Sequence, residues 1–329
     1  MQGAAPYEVI IPVVLCAAGI CTIRQLGDRR LYPAVYTYHR GLPVVREAEY
    51  SGNEAGALMA HLTGAQAVVA SLKAHGVSTI FGIPGVHTLP LYDAFRDDPE
   101  IRHVLARHEQ GAGFMAEGYA RATGMPGIAC VITGPGVTNV ATPMASAYAD
   151  SIPLLVIATA GPRSSTNRPR GDLHELKDQL AVMEALAGWS RAVTTVEEIS
   201  DALRDAFRAL RTGRPRGAYL QIPLDLLSET AEVTIVCPAA TQPHAADPAA
   251  IQAAAVLLQG AQRPLIVAGS GVTAAGAGAA LARLAELLEA PVLLGGKSRD
   301  ALPSDFRLAL GVSGYGLTDE LVELARNAD

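Results

Sequence analysis

The sequence predicts an α/β fold: a doubly wound parallel sheet, followed by a second, incomplete unit of the same general kind. Three observations predict it. Strand-like and helix-like segments alternate from Thr63 onward at a spacing that suits right-handed crossovers between parallel strands. Half of the 329 residues are hydrophobic (50%), while only 5% are aromatic and 18% charged, a balance that suits small-residue helices layered on a buried sheet. Glycine turns follow the first and third strand-like runs, at the sheet edge where open parallel sheets place ligands.

The first 58 residues stand apart. Val9 to Ile23 is apolar, but it contains Pro12, falls short of the roughly 20 residues of a membrane span, and follows Glu8 rather than a basic stretch. No helical or strand period holds from Leu26 to Leu58. Residues 1–58 are therefore read as a poorly ordered or extraneous extension, with Met59 as a candidate natural start.

Regular organisation begins at Thr63-Gly64-Ala65-Gln66, a capping box that predicts a helix through Ala67, Val68, Leu72 and Ala74, closed by Gly76. Val77–Ile83 then reads as a strand. The spacing predicts helix 89–97, strand 101–106, helix 110–123, strand 128–133, helix 137–149 and strand 154–158. A polar, Arg- and Pro-rich loop follows Gly161, long enough to be functional. Helix 196–211 and strand 218–222 complete a domain spanning 59–223. Pro223, Pro238 and Pro243 mark 224–247 as a linker without helical period. From Pro248 a second alternation predicts helix to Leu258, strand 264–268, helix 274–289 and strand 292–294, an incomplete Rossmann-like unit over 248–329.

Composition excludes several functions. The formal net charge is −6 and no long basic run is present, which argues against nucleic acid as a partner. Cys16, Cys21, Cys130 and Cys237 form no C-x-x-C pair, and the eight histidines show no H-E-x-x-H spacing, so no metal site is expected among this chain's own residues. A cytoplasmic location without membrane association is expected.

Glu109, in Arg107-His108-Glu109-Gln110-Gly111-Ala112-Gly113, stands where strand 101–106 gives way to a helix. An acidic residue there complements the helix dipole, which is the ordinary explanation. Gly111, Ala112 and Gly113 shift the balance, because the two glycines are poor helix formers and all three small residues let a flat ring or another backbone approach closely. His108 reads as a capping residue, and Phe114 and Met115 as core or subunit interface. Gly82-Ile83-Pro84-Gly85 and Thr133-Gly134-Pro135-Gly136-Val137-Thr138-Asn139 are expected on the same edge, so that one carboxylate and small-residue walls bound a crevice.

These motifs, with Leu91-Tyr92-Asp93-Ala94, Ala120-Arg121-Ala122-Thr123-Gly124 and Ala149-Asp150-Ser151-Ile152-Pro153, occur in one order over about half of the chain. The block 63–222 thereby resembles the pyrimidine-binding (PYR) domain of thiamine diphosphate (ThDP) enzymes of the acetolactate synthase-like group. From 248 onward the chain resembles the start of that family's central domain, most clearly at Arg263-Pro264-Leu265-Ile266-Val267-Ala268-Gly269-Ser270-Gly271-Val272.

The resemblance implies a 2-oxo acid decarboxylase or carboligase. It gives Glu109 the catalytic role of hydrogen-bonding N1′ of the cofactor's aminopyrimidine, so that the 4′-nitrogen can take the proton from thiazolium C2. It places Pro84, Gly85, Thr133, Gly134, Pro135 and Asn139 at the pyrimidine pocket or its dimer contact. It also implies a homodimer or tetramer in the intact enzyme, through helices such as 110–123. Mg²⁺ belongs to a third domain with a Gly-Asp-Gly start, which this sequence lacks. The expectation is therefore a truncated chain, inactive alone. Gly269-Ser270-Gly271-Val272-Thr273-Ala274 matches a dinucleotide turn, but the next strand ends in Gly295-Gly296-Lys297 without a ribose-binding acid, so FAD stays open. His174 stands where acetolactate synthases usually carry Phe-Gln-Glu, a departure that leans toward a more polar substrate. A non-catalytic nucleotide-binding or interaction subunit on the same fold is the alternative.

Overall fold

The computed structural model describes residues 57–165, 168, 170–236, 245–313 and 318–329, which fall into two compact units, 57–236 and 245–329. Most of the extension read at 1–58, including Val9–Ile23, lies outside the described residues. The first unit runs β1 (Ala57–Thr63), α1 (Gly64–Ala74), β2 (Thr79–Gly82), α2 (Leu89–Arg96), β3 (Arg102–Leu105), α3 (Glu109–Thr123) and β4 (Gly127–Val131). It continues through α4 (Pro135–Asn139), α5 (Ala141–Asp150), β5 (Leu154–Ala160), α6 (Gln179–Glu184), β6 (Trp189–Ala192), α7 (Glu198–Arg211), β7 (Ala218–Pro223) and β8 (Thr230–Val236).

Six of these strands form one parallel sheet in the order β3-β2-β4-β5-β7-β6. Its central strands β4 and β5 are buried on both faces, as continuous apolar runs require. Alternate residues serve opposite layers. Ile128, Cys130, Leu155 and Ile157 pack with α1, α2 and α7, whereas Ala129, Val131, Leu154 and Val156 pack with α3, α5 and Met183 of α6. Helices on both faces make the sheet doubly wound. Neighbouring β2 and β4 are followed by helices on opposite faces, which opens a crevice at their carboxyl ends.

The capping box forms as the sequence predicts: Gln66 N–H donates to Thr63 Oγ1 at 3.2 Å, and Thr63 N–H donates to Gln66 Oε1 at 3.0 Å. Such a cap contributes about 1 kcal/mol. Close packing fixes several glycines. A Cβ on Gly113 would stand 2.4 Å from Pro143 Cγ, so this glycine seats α3 against α5.

The structure departs from the sequence expectation in several places. The segment 224–247 contains a short 3-10 turn at Leu224–Leu227 and then β8, which pairs antiparallel with β1 from Thr230↔Thr63 to Val236↔Ala57. Val233 and Ile235 alternate with exposed Glu232 and Thr234, a period-2 pattern that the prolines around it obscured. The helix expected over 137–149 is broken at Val140 into α4 and α5. β6 and α6, between the long loop and α7, are additional to the expected elements.

The second unit holds α8 (Pro248–Gly260), β9 (Ile266–Ala268), α9 (Ser270–Ala274), α10 (Gly278–Leu288), β10 (Val292–Gly295), β11 (Ala309–Ser313) and α11 (Asp319–Arg326). Its parallel sheet has the order β11-β10-β9, and Ala268, Leu281, Ala285, Val292 and Leu294 form its core. The expected helix 274–289 is interrupted at Gly276, which adopts φ +61° between α9 and α10.

Candidate functional site

β3 ends one strand away from the β2/β4 crevice, and α3 starts there. His108 is its N-cap, with Nδ1 accepting from Gln110 N–H at 3.1 Å, so the capping reading of this histidine holds. Glu109 is the first helical residue and its side chain is half-buried. Its Oε2 accepts a hydrogen bond from Asn139 Nδ2 at 2.9 Å, across 30 residues of sequence. A Cβ on Gly136 would stand 3.6 Å from Glu109 Oε1 and 2.8 Å from Ile132 Cγ2. The carboxylate therefore has one oxygen engaged by Asn139 and the other beside Gly136, whose lack of a side chain is required by Ile132.

The turn after β4 is held from beneath. Thr133 is buried; its N–H donates to Thr159 Oγ1 at 3.1 Å and its hydroxyl donates to the same oxygen at 2.9 Å. Gly134 N–H donates to Gln179 Oε1 at 2.8 Å, and Gln179 Nε2 donates to Thr159 O, Tyr219 Oη and Gln221 Oε1. Gly134 adopts φ +68°, and a Cβ there would fall 2.0 Å from His174 O. Pro135, exposed, opens α4 at a position where a missing N–H costs nothing.

The turn after β2 is the other wall. Gly85 N–H donates to Thr88 Oγ1 at 2.9 Å, and the same hydroxyl donates to Gly85 O at 3.0 Å. A Cβ on Gly85 would stand 2.5 Å from Ile132 Cδ1, so both glycine turns rest on Ile132. Pro84 is exposed beside it. Below, Tyr92 Oη donates to Cys130 O at 3.0 Å. Burial, with the neighbouring Cys130 and Glu109, pushes the Tyr92 phenol far above its ordinary range, so it stays a neutral donor.

Among the residues expected at the site, Glu109 and Asn139 thus meet directly, while Thr133 and Gly134 are tied into the layer beneath. Gly85 shares its support with Gly136, and Pro84 and Pro135 stand exposed. Of the small residues after Glu109, Gly113 serves helix packing and Gly111 has open space at its Cβ position. Phe114 and Met115 are 42% and 36% exposed, which removes them from the core. Sequence reasoning missed Gln179 and Thr159. Thr159 left one signal, a lone hydroxyl within the buried run Leu154–Ala160; Gln179, beside its capping Asp178, left none.

A cofactor that presents a ring nitrogen fits this arrangement, with the carboxylate oxygen that Asn139 does not engage to meet it. Among the described residues no group of three or more His, Cys, Asp and Glu side chains could hold a metal ion, and no helix is long and apolar enough to cross a membrane.

Residues 62–182 match the family described as "Thiamine pyrophosphate enzyme, N-terminal TPP binding domain", and residues 251–329 match "Thiamine pyrophosphate enzyme, central domain". The chain is 45% identical over 254 residues to "Probable 2-ketoarginine decarboxylase AruI" of Pseudomonas aeruginosa, covering 77% of this chain and 45% of that protein. It is 36% identical over 277 residues to an acetolactate synthase of Mycobacterium bovis, covering 82% of this chain and 44% of that protein. Against the acetolactate synthase isozyme 1 large subunit of Escherichia coli it is 37% identical over 260 residues, covering 77% of this chain and 44% of that protein. The chain thus spans a little under half the length of these curated relatives. By its two matched domains and these relatives, the chain belongs to the thiamine pyrophosphate enzymes, in the acetolactate synthase-like group.

Proposed function

We propose that this chain supplies the pyrimidine side of a ThDP-dependent 2-oxo acid decarboxylase or carboligase. The observation that carries the reading is the Glu109 carboxylate, fixed by Asn139 beside Gly136 at the carboxyl edge of the sheet. When bound, ThDP supplies an electron sink for the pair left behind as carbon dioxide departs from the substrate.

The chain's own residues have distinct tasks. Glu109 presents Oε1 to a ring nitrogen of the cofactor, with which it would share a proton, and Asn139 keeps that oxygen aimed by occupying Oε2. Gly85 and Gly136 seat the two turns on Ile132 beside the carboxylate, with Pro84 and Pro135 at the rim. Thr133 and Gly134 act from below by fixing the turn through Thr159 and Gln179. Mg²⁺ and the diphosphate are assigned to a diphosphate-binding domain rather than to residues of the two matched domains. FAD is no part of the proposal.

The exposed face of α3, with Gly111, Phe114, Met115 and Gly118, is the surface proposed to meet a second subunit in a homodimer or tetramer. The protein is proposed to work in the cytoplasm. The relatives' names, a 2-ketoarginine decarboxylase and acetolactate synthases, support a 2-oxo acid as the proposed substrate.

The test is carbon dioxide release from 2-oxo acids by this chain combined with a diphosphate-binding domain, with and without ThDP and Mg²⁺. Release that requires both supports the proposal. Failure of any 2-oxo acid to react, with ThDP demonstrably bound, overturns it.

A further inference from the structure

The long loop after β5 is built to present one side chain. Glu175 accepts from three consecutive backbone amides, those of Arg170, Gly171 and Asp172, at 3.1, 2.6 and 2.9 Å, and Ser165 Oγ donates to Asp172 Oδ2 at 2.8 Å. This frame holds His174 at φ +64°, a left-handed conformation that is uncommon outside glycine. The His174 carbonyl lies against Gly134, so the loop is keyed to the turn that carries Gly136 beneath Glu109.

The His174 ring meets His87, two residues beyond Gly85 on the opposite wall. The ring centroids are 5.6 Å apart with planes at 66°. Nδ1 of both rings is buried without a hydrogen-bond partner. Two unpaired imidazole nitrogens at one place, from two loops, are a cost that packing alone does not explain.

We propose that His87 and His174 form a two-donor subsite that receives the carboxylate of the 2-oxo acid at the edge of the Glu109 crevice. This deepens the function proposed above and rests on it. A proton on either buried Nδ1 would be an orphaned donor, which favours the tautomer with its proton on Nε2 and leaves that N–H as the group each ring can offer a ligand. Burial and the adjacent His174 hold His87 below the ordinary imidazole range, which keeps the donor uncharged. Two N–H groups from opposite walls match the two oxygens of a carboxylate and orient it.

The test is ¹⁵N NMR of the full chain with labelled histidine, the two signals assigned through His87→Asn and His174→Asn. Asparagine tolerates the left-handed backbone at 174, and circular dichroism checks that both variants fold. Both rings are expected as the Nε2–H tautomer. Sodium pyruvate is expected to shift both signals and its uncharged methyl ester neither, and either substitution should weaken the pyruvate response of the remaining ring about tenfold or more. An Nδ1-protonated ring, an equal response to acid and ester, or no response overturns the subsite. The readout needs no ThDP. A pyruvate response without ThDP-dependent carbon dioxide release therefore removes the proposed function and leaves the subsite, and the reverse pattern removes the subsite alone.

Discussion

Asn139 Nδ2 donates to Glu109 Oε2 at 2.9 Å, joining the start of α3 to the end of α4 across the carboxyl edge of the sheet. The bond divides the carboxylate into a held oxygen and an available one. Replacing Asn139 with Ala frees the side chain of Glu109 to rotate. Loss of a hydrogen bond to a charged group costs about 1.5–3 kcal/mol, so turnover of the assembled enzyme should fall about tenfold to a hundredfold. Steady-state kcat checks this.

Gly134 combines φ +68° with the His174 carbonyl 2.0 Å from where a Cβ would sit. Gly134→Ala is therefore strained twice, by backbone and by contact with an atom that cannot swing aside. A loss of about 2 kcal/mol or more is expected in denaturant unfolding of the chain.

Gln179 serves both turn and sheet through its bonds to Gly134, Thr159, Tyr219 and Gln221. Gln179→Leu keeps the volume but leaves the Gly134 N–H and the Thr159 carbonyl without this partner. About 2–4 kcal/mol of stability should be lost, and hydrogen exchange at the Gly134 amide should accelerate by orders of magnitude.

His75 is 4% exposed, stacks on Phe207 with centroids 4.1 Å apart, and has no partner at either ring nitrogen. Burial, then the positive fields of Arg211 and Arg204, lower its pKa from 6.5 to about 4. The unfolded chain therefore binds the proton first. The stabilisation is full above pH 6.5 and is lost as pH falls through about 4, amounting to about 3 kcal/mol at most. Urea unfolding from neutral pH to pH 4 should show this slope, and His75→Leu should flatten it.

What the sequence made legible follows from how each feature is encoded. Apolar runs such as Ile128–Val131 and Leu154–Ala158 announce buried parallel strands locally, and Thr63 with Gln66 announces α1, so the doubly wound core could be read directly. Glu109 and the two glycine turns were legible because strand ends and turn chemistry are local signals. The Glu109–Asn139 bond, the Gln179 support and the facing of His87 by His174 join segments 30 to 87 residues apart, and no local pattern records such pairings. β1 and β8 stayed hidden for a related reason: each needs the other, distant strand to complete its ladder.

The central claim is that Glu109 handles a proton for ThDP. The most direct measurement is the turnover and ThDP affinity of Glu109→Gln in the enzyme assembled with its diphosphate-binding domain, ThDP and Mg²⁺. Glutamine retains the shape and the bond from Asn139 but cannot share a proton. Turnover should drop about a hundredfold or more while ThDP still binds. Turnover near that of the unsubstituted enzyme would contradict the account.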